Sequence, residues 1–344
     1  MTRYFALLLP VVVCLCASCQ GPSTPEEKAA QSIEALGGRV SRDKKLPGRP
    51  VVGVNLAGTK VTDADLRDLK ELRGLRWLDL QATQITDAGL RHLKELKGLR
   101  ELNLSNTLIA DAGLKDLKEL KDMRVLVLNN TKITDAGLKE LKELKGLQEL
   151  RIEDTKITDA GMKDLKELKD LQELDLYGTP ITDAGLKDLK GLKGIQKLNL
   201  GPLITDAGLK DLKELKGLQF LSLCASQITD AGLKDLKELQ GLRELNLSNT
   251  LITDAGLKDL KELKGLQKLF LFYTPITDAG LKVLKELKSL RELYLVGTKI
   301  TDAGLKDLKE LKDLQKLVLD FTKITDVGRK ELRQALPKTE IYPP

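Results

Sequence analysis

Aromatic side chains are the residues of this sequence best suited to recognise another molecule. Apart from Tyr4, Phe5 and Tyr342, every aromatic falls at one of a few places in a repeated pattern, and none replaces a recurring leucine. These aromatics are Trp77, Tyr177, Phe220, Phe270, Phe272, Tyr273, Tyr294 and Phe321. Exposed aromatics that gather in a patch are typical of interaction sites, so the chemistry they indicate is non-covalent binding.

The pattern that positions these aromatics is a repeat of about two dozen residues. The phrase Thr-Asp-Ala-Gly, or a near copy, begins at Thr62, Thr86, Ala110, Thr134, Thr158, Thr182, Thr205, Thr229, Thr253, Thr277, Thr301 and Thr325. Successive copies are 24 residues apart, except for 23 residues between Thr182 and Thr205. A fixed period of this length indicates a solenoid, in which stacked units bury one another's apolar faces.

Each repeat is predicted to contain a strand, a turn, a short helix and a second turn. The L-x-x-L-x-L segment that begins at Leu99 alternates as a short strand does. The Thr or Asp of the repeated phrase is a good helix N-cap, and Leu90, Leu93 and Leu96 lie on one helical stripe. Gly98 stands where helices commonly end in a left-handed residue.

Units in register place their strands side by side in a parallel sheet, about 4.8 Å apart and on the order of 55 Å long for twelve units. Helices are wider than strands, so they are expected on the convex side and the sheet on the concave side. In the pattern L-x-x-L-x-L-x-x-T, the third, fifth, seventh and eighth residues should then project from the concave face or its rim.

The pattern L-x-x-L-x-L-x-x-T-x-I-T-D-A-G-L resembles the leucine-rich repeat, and in particular its cysteine-containing subtype, with Thr in place of Cys. That place is held by Thr59, Thr83, Thr107, Thr131, Thr155, Thr179, Ser226, Thr250, Thr274, Thr298 and Thr322. A hydroxyl there would satisfy backbone groups of a buried turn. The repeat between Leu198 and Thr205 lacks it, and a kink or loosened turn is expected there. The resemblance implies an α/β, right-handed leucine-rich-repeat solenoid in a bacterial exported protein with TDAGL-type repeats.

The aromatics late in the array are predicted to form a binding patch for a protein or peptide. Phe270 and Tyr294 hold the fifth place of adjacent repeats, and the other members continue or flank that row. The predicted patch consists of Phe270, Phe272, Tyr273, Tyr294, Val296, Val318 and Phe321, with Trp77, Tyr177 and Phe220 as secondary sites. Aromatics also favour strands and stabilise sheets, but earlier repeats have polar residues at the same places, which favours binding.

Catalysis, cofactors and metals are not predicted. His92 is the single histidine, and it provides neither a metal cluster nor a catalytic pair. The sequence contains no phosphate-binding loop and no nucleophile elbow. Acidic residues surround Arg151, namely Glu149, Glu153, Asp154, Glu173 and Asp175. They could steer a basic partner, bind calcium weakly, or simply form a solvated surface.

Charge argues against a nucleic-acid partner. The net charge is only +6, and the concave places hold ten acidic residues against four basic ones, a surface that a phosphate backbone would not favour. At the third place, Glu244, Lys268, Glu292 and Lys316 alternate in sign between adjacent repeats, which predicts ion pairs between strands.

The N-terminus predicts export. A positive start, an apolar run from Tyr4 to Cys16 and small residues after it are typical of a signal peptide over residues 1–18. Cys19 and the polar tether of residues 19–25 resemble the lipobox of bacterial lipoproteins, although Cys16 stands where Leu is usual. The protein is therefore predicted to be lipid-anchored to a membrane of the cell envelope through Cys19; the alternative is a secreted or periplasmic protein.

The rest of the chain divides into three predicted parts. An N-terminal cap covers residues 26–50, the twelve-repeat solenoid residues 51–336, and a C-terminal cap residues 337–344. With Cys14 and Cys16 in the signal peptide and Cys19 acylated, Cys224 would be the one remaining cysteine, so no internal disulfide is expected. The protein is predicted to be a monomer. The alternatives for its function are a structural spacer in the envelope, or a substrate-recognition module resembling F-box leucine-rich-repeat proteins without the F-box.

Overall fold

The computed structural model describes residues 24–343. The predicted signal peptide and the lipidation site Cys19 lie outside these residues. Within them, no helix is both long enough and apolar enough to cross a membrane.

The described residues form one sheet of 14 strands, which lie side by side in the order of the chain. Strands β1 to β14 are Arg39–Arg42, Val51–Asn55, Trp77–Asp79, Glu101–Asn103, Val125–Val127, Glu149–Arg151, Glu173–Asp175, Lys197–Asn199, Phe220–Ser222, Glu244–Asn246, Lys268–Phe270, Glu292–Tyr294, Lys316–Val318 and Glu340–Tyr342. From β2 onward all neighbours are parallel and in register, so equivalent residues of successive repeats stand side by side. Strand β1 pairs with β2 in the antiparallel sense and covers the first edge.

From β2 to β14, short helices return the chain from each strand to the next, and α1 precedes β1. Helices α1 to α12 are Pro25–Ala35, Asp87–Leu90, Asp111–Leu114, Asp135–Glu140, Asp159–Met162, Asp183–Leu186, Asp206–Leu212, Asp230–Leu233, Leu257–Leu260, Asp278–Leu284, Leu305–Leu308 and Asp326–Ala335. The 3₁₀ helices are Asp65–Glu71, Lys115–Leu117, Leu141–Glu143, Lys163–Glu167, Lys187–Gly191, Lys234–Glu238 and Asp302–Gly304. The recurring leucines of strands and helices meet in one continuous buried core.

The Thr-Asp-Ala-Gly phrase joins each repeat to the one before it. The backbone N–H and the hydroxyl of Thr86 donate to the two carboxylate oxygens of Asp63, at 2.8 and 2.6 Å. The Thr86 hydroxyl oxygen accepts from the N–H of Ala88 and caps the helix. A side chain on Gly89 would collide with the Asp63 carboxylate, which explains the glycine. The same contacts recur along the array.

The buried hydroxyl predicted for each strand turn has the expected role. In every repeat that has it, the Thr or Ser hydroxyl donates to the carbonyl three residues earlier, at 2.5–2.8 Å. This bond satisfies a carbonyl that the turn would otherwise leave without a partner. The predicted role of Gly98 is wrong, because Gly98 does not have a positive φ. The helical turn already ends two residues earlier, as at Leu72, whose φ is -90° and ψ 61°.

The shortened repeat keeps its place in the sheet, and its departure is confined to the turn. Strand β8 pairs in register with both neighbours. In a full repeat the N–H of the eighth residue donates to the next repeat, as Asn249 does to the Phe272 carbonyl at 2.7 Å. Pro202 has no N–H for this bond, and the hydroxyl of the ninth place is missing, so this turn lacks two hydrogen bonds that full repeats such as that of Asn249 have.

Candidate functional site

Three aromatic rings meet on the face of strands β11 and β12. Phe270 and Tyr294 are partners in the sheet register, and their rings stack at a centroid distance of 4.5 Å and an angle of 17°. The ring of Phe272 stands edge-on to both, at 6.0 Å from Phe270 and 5.6 Å from Tyr294. We call these three residues the aromatic cluster. Val296 and Val318 beside it are half-buried.

The row of the cluster continues to the last strand, where Tyr342 is an aromatic residue outside the predicted patch. Val318 is paired with Tyr342 in the register of β13 and β14. The amino nitrogen of Lys316 lies over both tyrosine rings, 5.6 Å from the centre of Tyr294 and 5.3 Å from that of Tyr342. Tyr342 could have been predicted from the sequence, because Glu340, Ile341 and Tyr342 alternate as the strand residues of the repeats do.

Charged groups hold one side of the cluster in place. Lys268 lies 3.5 Å from the Glu244 carboxylate and 3.3 Å from that of Glu292. Burial lowers the pKa of Lys268, but the hydrogen bond to Glu292 and the two carboxylates outweigh it and raise this pKa overall. The predicted alternation of ion pairs ends there, because Lys316 forms no ion pair within residues 24–343 and lies over the tyrosine rings instead.

The phenol of Tyr294 is fixed by the same carboxylate. Its hydroxyl donates to Glu292 at 2.8 Å. Burial, together with this hydrogen bond and the negative charge of Glu292, raises the pKa of Tyr294 to about 12. The ring is therefore a neutral hydrogen-bond donor at neutral pH, and its orientation is set before any partner arrives.

Two further predicted residues, Tyr273 and Phe321, stand on the rim of the face in a strained backbone conformation. Their φ values are 53° and 57°, in the left-handed region that bulky side chains rarely adopt. Other repeats have residues at this eighth place that are small or polar, namely Gly58, Ala82, Asn106, Asn130, Asp154, Gly178, Ala225, Asn249 and Gly297. Tyr273 is 58% exposed and Phe321 82% exposed. The ring of Tyr273 contacts Gly297 of the next repeat, but the chain buries neither ring.

The secondary aromatics lie apart from the cluster. Trp77 on β3 covers Gly53 of the neighbouring strand and fills the space of its missing side chain. Tyr177 follows β7 and is half-buried. Phe220 on β9 lines a different feature, described next.

A depression of about 380 Å³ lies on the same face over strands β6 to β10. It is lined by Arg151, Glu173, Leu174, Asp175, Lys197, Leu198, Asn199, Phe220 and Glu244. Arg151 pairs with Glu149 and Glu173 at 2.7 and 2.8 Å, and Lys197 pairs with Glu173 at 3.0 Å.

The carboxylates beside this depression outnumber the cations. Burial is the largest cause that raises the pKa of Glu149 and of Glu153. Neighbouring carboxylates raise both further, Glu173 acting on Glu149 and Asp175 on Glu153, against the opposing charge of Arg151. No group of three or more His, Cys, Asp or Glu within residues 24–343 is placed to hold a metal ion.

Comparisons with known proteins agree with the architecture. A family model described as Leucine Rich repeat matches residues 168–190, 240–261 and 286–309. An internalin from Listeria monocytogenes aligns at a TM-score of 0.64 and 23% identity, over 93% of this chain and 95% of that one. A leucine-rich-repeat protein from Leptospira interrogans aligns at 0.56 and 25% identity, over 80% of this chain and 74% of that one. A search of curated proteins finds no match. The chain thus has the fold of a leucine-rich-repeat solenoid.

Proposed function

We propose that this protein is a non-catalytic module that binds a protein or peptide through its concave face, with the aromatic cluster at the centre of the contact. Leucine-rich-repeat proteins are in general protein-binding modules, and solenoids use their concave surfaces for this purpose. The observation that carries the proposal is the group of rings at Phe270, Phe272 and Tyr294, which lie together on an open sheet face. Aromatic anchors usually dominate such interfaces.

The rim residues support the same function. An aromatic residue in the left-handed region costs on the order of 1 kcal/mol, and strain of this kind concentrates at functional sites. Tyr273 and Phe321 carry that strain while remaining exposed. A partner that covers the cluster and reaches the rim would bury both rings. The free energy of that burial would offset the cost of the strained backbone.

The test is capture of partners from an envelope extract by the immobilised protein. Replacing Phe270, Phe272 and Tyr294 together by Ala is expected to abolish capture, because the variant loses its anchors but none of the core leucines. Val125→Ala combined with Val127→Ala is the matched control, since it removes half-buried side chains of the same face on β5, away from the cluster. Circular dichroism must show that each variant is folded. Undiminished capture by the folded triple variant would refute the proposal.

Two other functions predict a different outcome. A structural spacer in the envelope would capture nothing, and its concave face would tolerate the triple substitution in the cell. A substrate-recognition module resembling F-box proteins would need a second partner to present the substrate. The aromatic cluster favours direct binding over the spacer, because a spacer has no use for anchors on an open face.

We further propose that the protein is exported and anchored to a membrane of the cell envelope by lipid on Cys19, and that it acts there as a monomer. The signal-like N-terminus and the polar tether support this. Metabolic labelling with a palmitate analogue should mark the wild type and leave Cys19→Ala unlabelled. Equal labelling of the two would argue against the anchor and leave the secreted or periplasmic alternative.

A further inference from the structure

The edge of the solenoid at which the strands begin is strongly basic. In each repeat it is formed by the two residues before the first apolar residue of the pattern and by the residue after it. In the eleven segments from Arg73–Arg76 to Lys312–Gln315, these places hold three carboxylates, Asp122, Asp170 and Asp313, against fifteen cations. The cations are Arg73, Arg76, Lys97, Arg100, Lys121, Arg124, Lys145, Lys169, Lys193, Lys216, Arg243, Lys264, Lys288, Arg291 and Lys312. We call this edge the basic rim.

The opposite edge, at which the strands end, is acidic. Its eighth, tenth and thirteenth places hold Asp154 and the twelve Asp residues of the Thr-Asp-Ala-Gly phrases. Against these carboxylates stand five lysines at the tenth place, namely Lys60, Lys132, Lys156, Lys299 and Lys323. This acidic rim also carries exposed apolar side chains, namely Leu108, Leu203, Leu251, Tyr273 and Phe321. The solenoid is therefore polarised across its width.

The cations of the basic rim stand in step and are accessible. The N–H of Arg100 donates to the Arg76 carbonyl and that of Arg124 to the Arg100 carbonyl, both at 2.7 Å. Apart from the half-buried Arg124, all fifteen side chains are exposed. Within residues 24–343, three of the fifteen form ion pairs, namely Arg76, Lys121 and Lys216. Most of the positive charge of this rim is thus available to a partner.

Glutamates on the adjoining helical turns do not cancel the charge of the basic rim. In ten of the eleven repeats a Glu stands two residues before the rim segment's first residue, as Glu95 stands before Lys97. Each of these Glu residues directly follows a Lys, as Glu95 follows Lys94. The Lys-Glu pairs are neutral, so the positive excess of the rim remains.

The N-terminal helix begins at the basic rim. Glu26, in the first turn of α1, accepts from the N–H of Val51, the first residue of β2, at 2.5 Å. The chain after α1 lies towards the other edge, because a side chain on Gly38 would meet Leu56, which follows β2. The six residue steps from Cys19 to Pro25 span at most about 20 Å. A lipid on Cys19 would therefore hold the basic rim close to the membrane.

Building on the lipid anchor of the proposed function, we infer that the basic rim docks on a membrane surface that contains anionic phospholipids. Clustered Lys and Arg are attracted to such a surface, and stable anchoring takes two signals, such as an acyl chain and a basic patch. Nucleic acid would meet the same charge, but the position of the anchor favours the membrane. In this orientation the acidic rim, with Tyr273 and Phe321, faces away from the bilayer and is open to the protein partner.

Vesicle sedimentation tests this inference on the full chain with Cys19→Ala, which cannot be acylated at that position. The probes are vesicles of phosphatidylcholine with and without phosphatidylglycerol. Binding common to both kinds of vesicle measures the apolar N-terminal run, so the readout is the excess on vesicles that contain phosphatidylglycerol. We expect a clear excess that weakens as the salt concentration rises.

The rim variant replaces four cations by Gln, which other repeats hold at the same places, as Gln240 and Gln148 show. The replaced residues are Lys97, Arg100, Lys145 and Lys169. The excess binding should fall more than about tenfold, because each cation near an anionic surface adds to the attraction.

The matched control removes four lysines from the acidic rim. It replaces them by Gln, which Gln84 and Gln227 show to be compatible with the tenth place. The replaced residues are Lys60, Lys132, Lys156 and Lys299. The net charge of this variant equals that of the rim variant, yet its excess binding should match that of the parent chain. Circular dichroism must show that both variants are folded.

The outcomes separate this inference from the proposed function. Equal losses in the two variants, or no excess on phosphatidylglycerol, would overturn the basic rim as a membrane surface. Binding of short duplex DNA through these four cations without vesicle binding would overturn it as well. The triple Ala variant of the aromatic cluster should bind vesicles like the parent chain. Palmitate labelling without any vesicle binding would overturn the inference alone, whereas vesicle binding without labelling would refute the anchor and support the rim.

Discussion

At the residue scale, three residues of the Thr-Asp-Ala-Gly phrase, namely Thr, Asp and Gly, have separate roles. Thr caps its own helix and donates to the preceding repeat, Asp accepts from the following repeat, and Gly leaves space for the Asp of the preceding one. The third repeat has Ala110 where the others have Thr. Its N–H still donates to Asp87 at 2.8 Å, but α3 has no side-chain cap.

This defect leads to a stability prediction. Ala110→Thr should raise the free energy of unfolding by about 1 kcal/mol, because it restores a helix cap and a hydroxyl donor to Asp87. Thr134→Ala, the mirror change in the next repeat, should lower it by a similar amount. Urea denaturation measures both, and hydrogen exchange at the Ala112 amide should slow only in the first variant. An unchanged or lower midpoint for Ala110→Thr would contradict the role assigned to the phrase.

Titration of Tyr294 tests how its ring is held. The folded state binds the phenolic proton more tightly than the unfolded state, so this contribution to stability is present below pH 10 and is lost as the pH rises towards about 12. The difference in tyrosinate absorbance between the wild type and Tyr294→Phe should therefore develop mainly above about pH 11. In a Glu292→Gln background, this absorbance difference should develop at a lower pH, because the negative charge of Glu292 is lost. A midpoint near pH 10 in the wild type would contradict both the burial of the Tyr294 phenol and its bond to Glu292.

At the scale of elements, the turn of each full repeat imposes a left-handed conformation on the eighth residue of the repeat. Nine of the repeats meet this demand with Gly, Ala, Asn or Asp, while Tyr273 and Phe321 do not. The ring of Tyr273 also lies over Gly297, the left-handed residue of the next repeat, so that a side chain at Gly297 would collide with it. The two rim aromatics thus conflict with the turn they occupy.

Relieving that conflict should separate stability from binding. Tyr273→Asn and Phe321→Asn should each raise the free energy of unfolding by roughly 1 kcal/mol, because Asn tolerates the left-handed region. Both should weaken partner capture, since the exposed rings are lost. Asn249→Tyr in the adjacent repeat is the matched reverse change and should destabilise. Thermal unfolding and capture assays give the two readings; a loss of stability in the Asn variants would mean that the rings serve packing.

The strands, the helices and the buried hydroxyls could be predicted because their signals repeat many times. Strand β1 could not, since Arg39–Arg42 occurs once and its pairing depends on the hairpin with β2. The left-handed place was detectable by aligning the repeats, where Gly and Asn recur at it. Side-chain interactions such as Lys316 over two tyrosines depend on rotamers and on the last strand, which a repeat pattern does not specify.

At the scale of the whole molecule, constant residues build the solenoid, and the departures that form the aromatic cluster and the depression fall on one face. The register places the third and fifth residues of each repeat on the sheet surface. Residues from distant parts of the sequence therefore become neighbours there. The aromatic cluster and the depression of the shortened repeat both arise in this way. A partner that lies along the sheet would contact both.

The most direct test of this account places a photo-crosslinking amino acid on each side of the solenoid in the cell. Substituting benzoylphenylalanine for Val318, beside the aromatic cluster, should give a discrete protein adduct on irradiation. The same amino acid at Lys139, on a helix, should give none, and the Val318 adduct should vanish when Phe270, Phe272 and Tyr294 are Ala. No adduct from Val318, or one that persists in the triple variant, would contradict binding through the aromatic cluster.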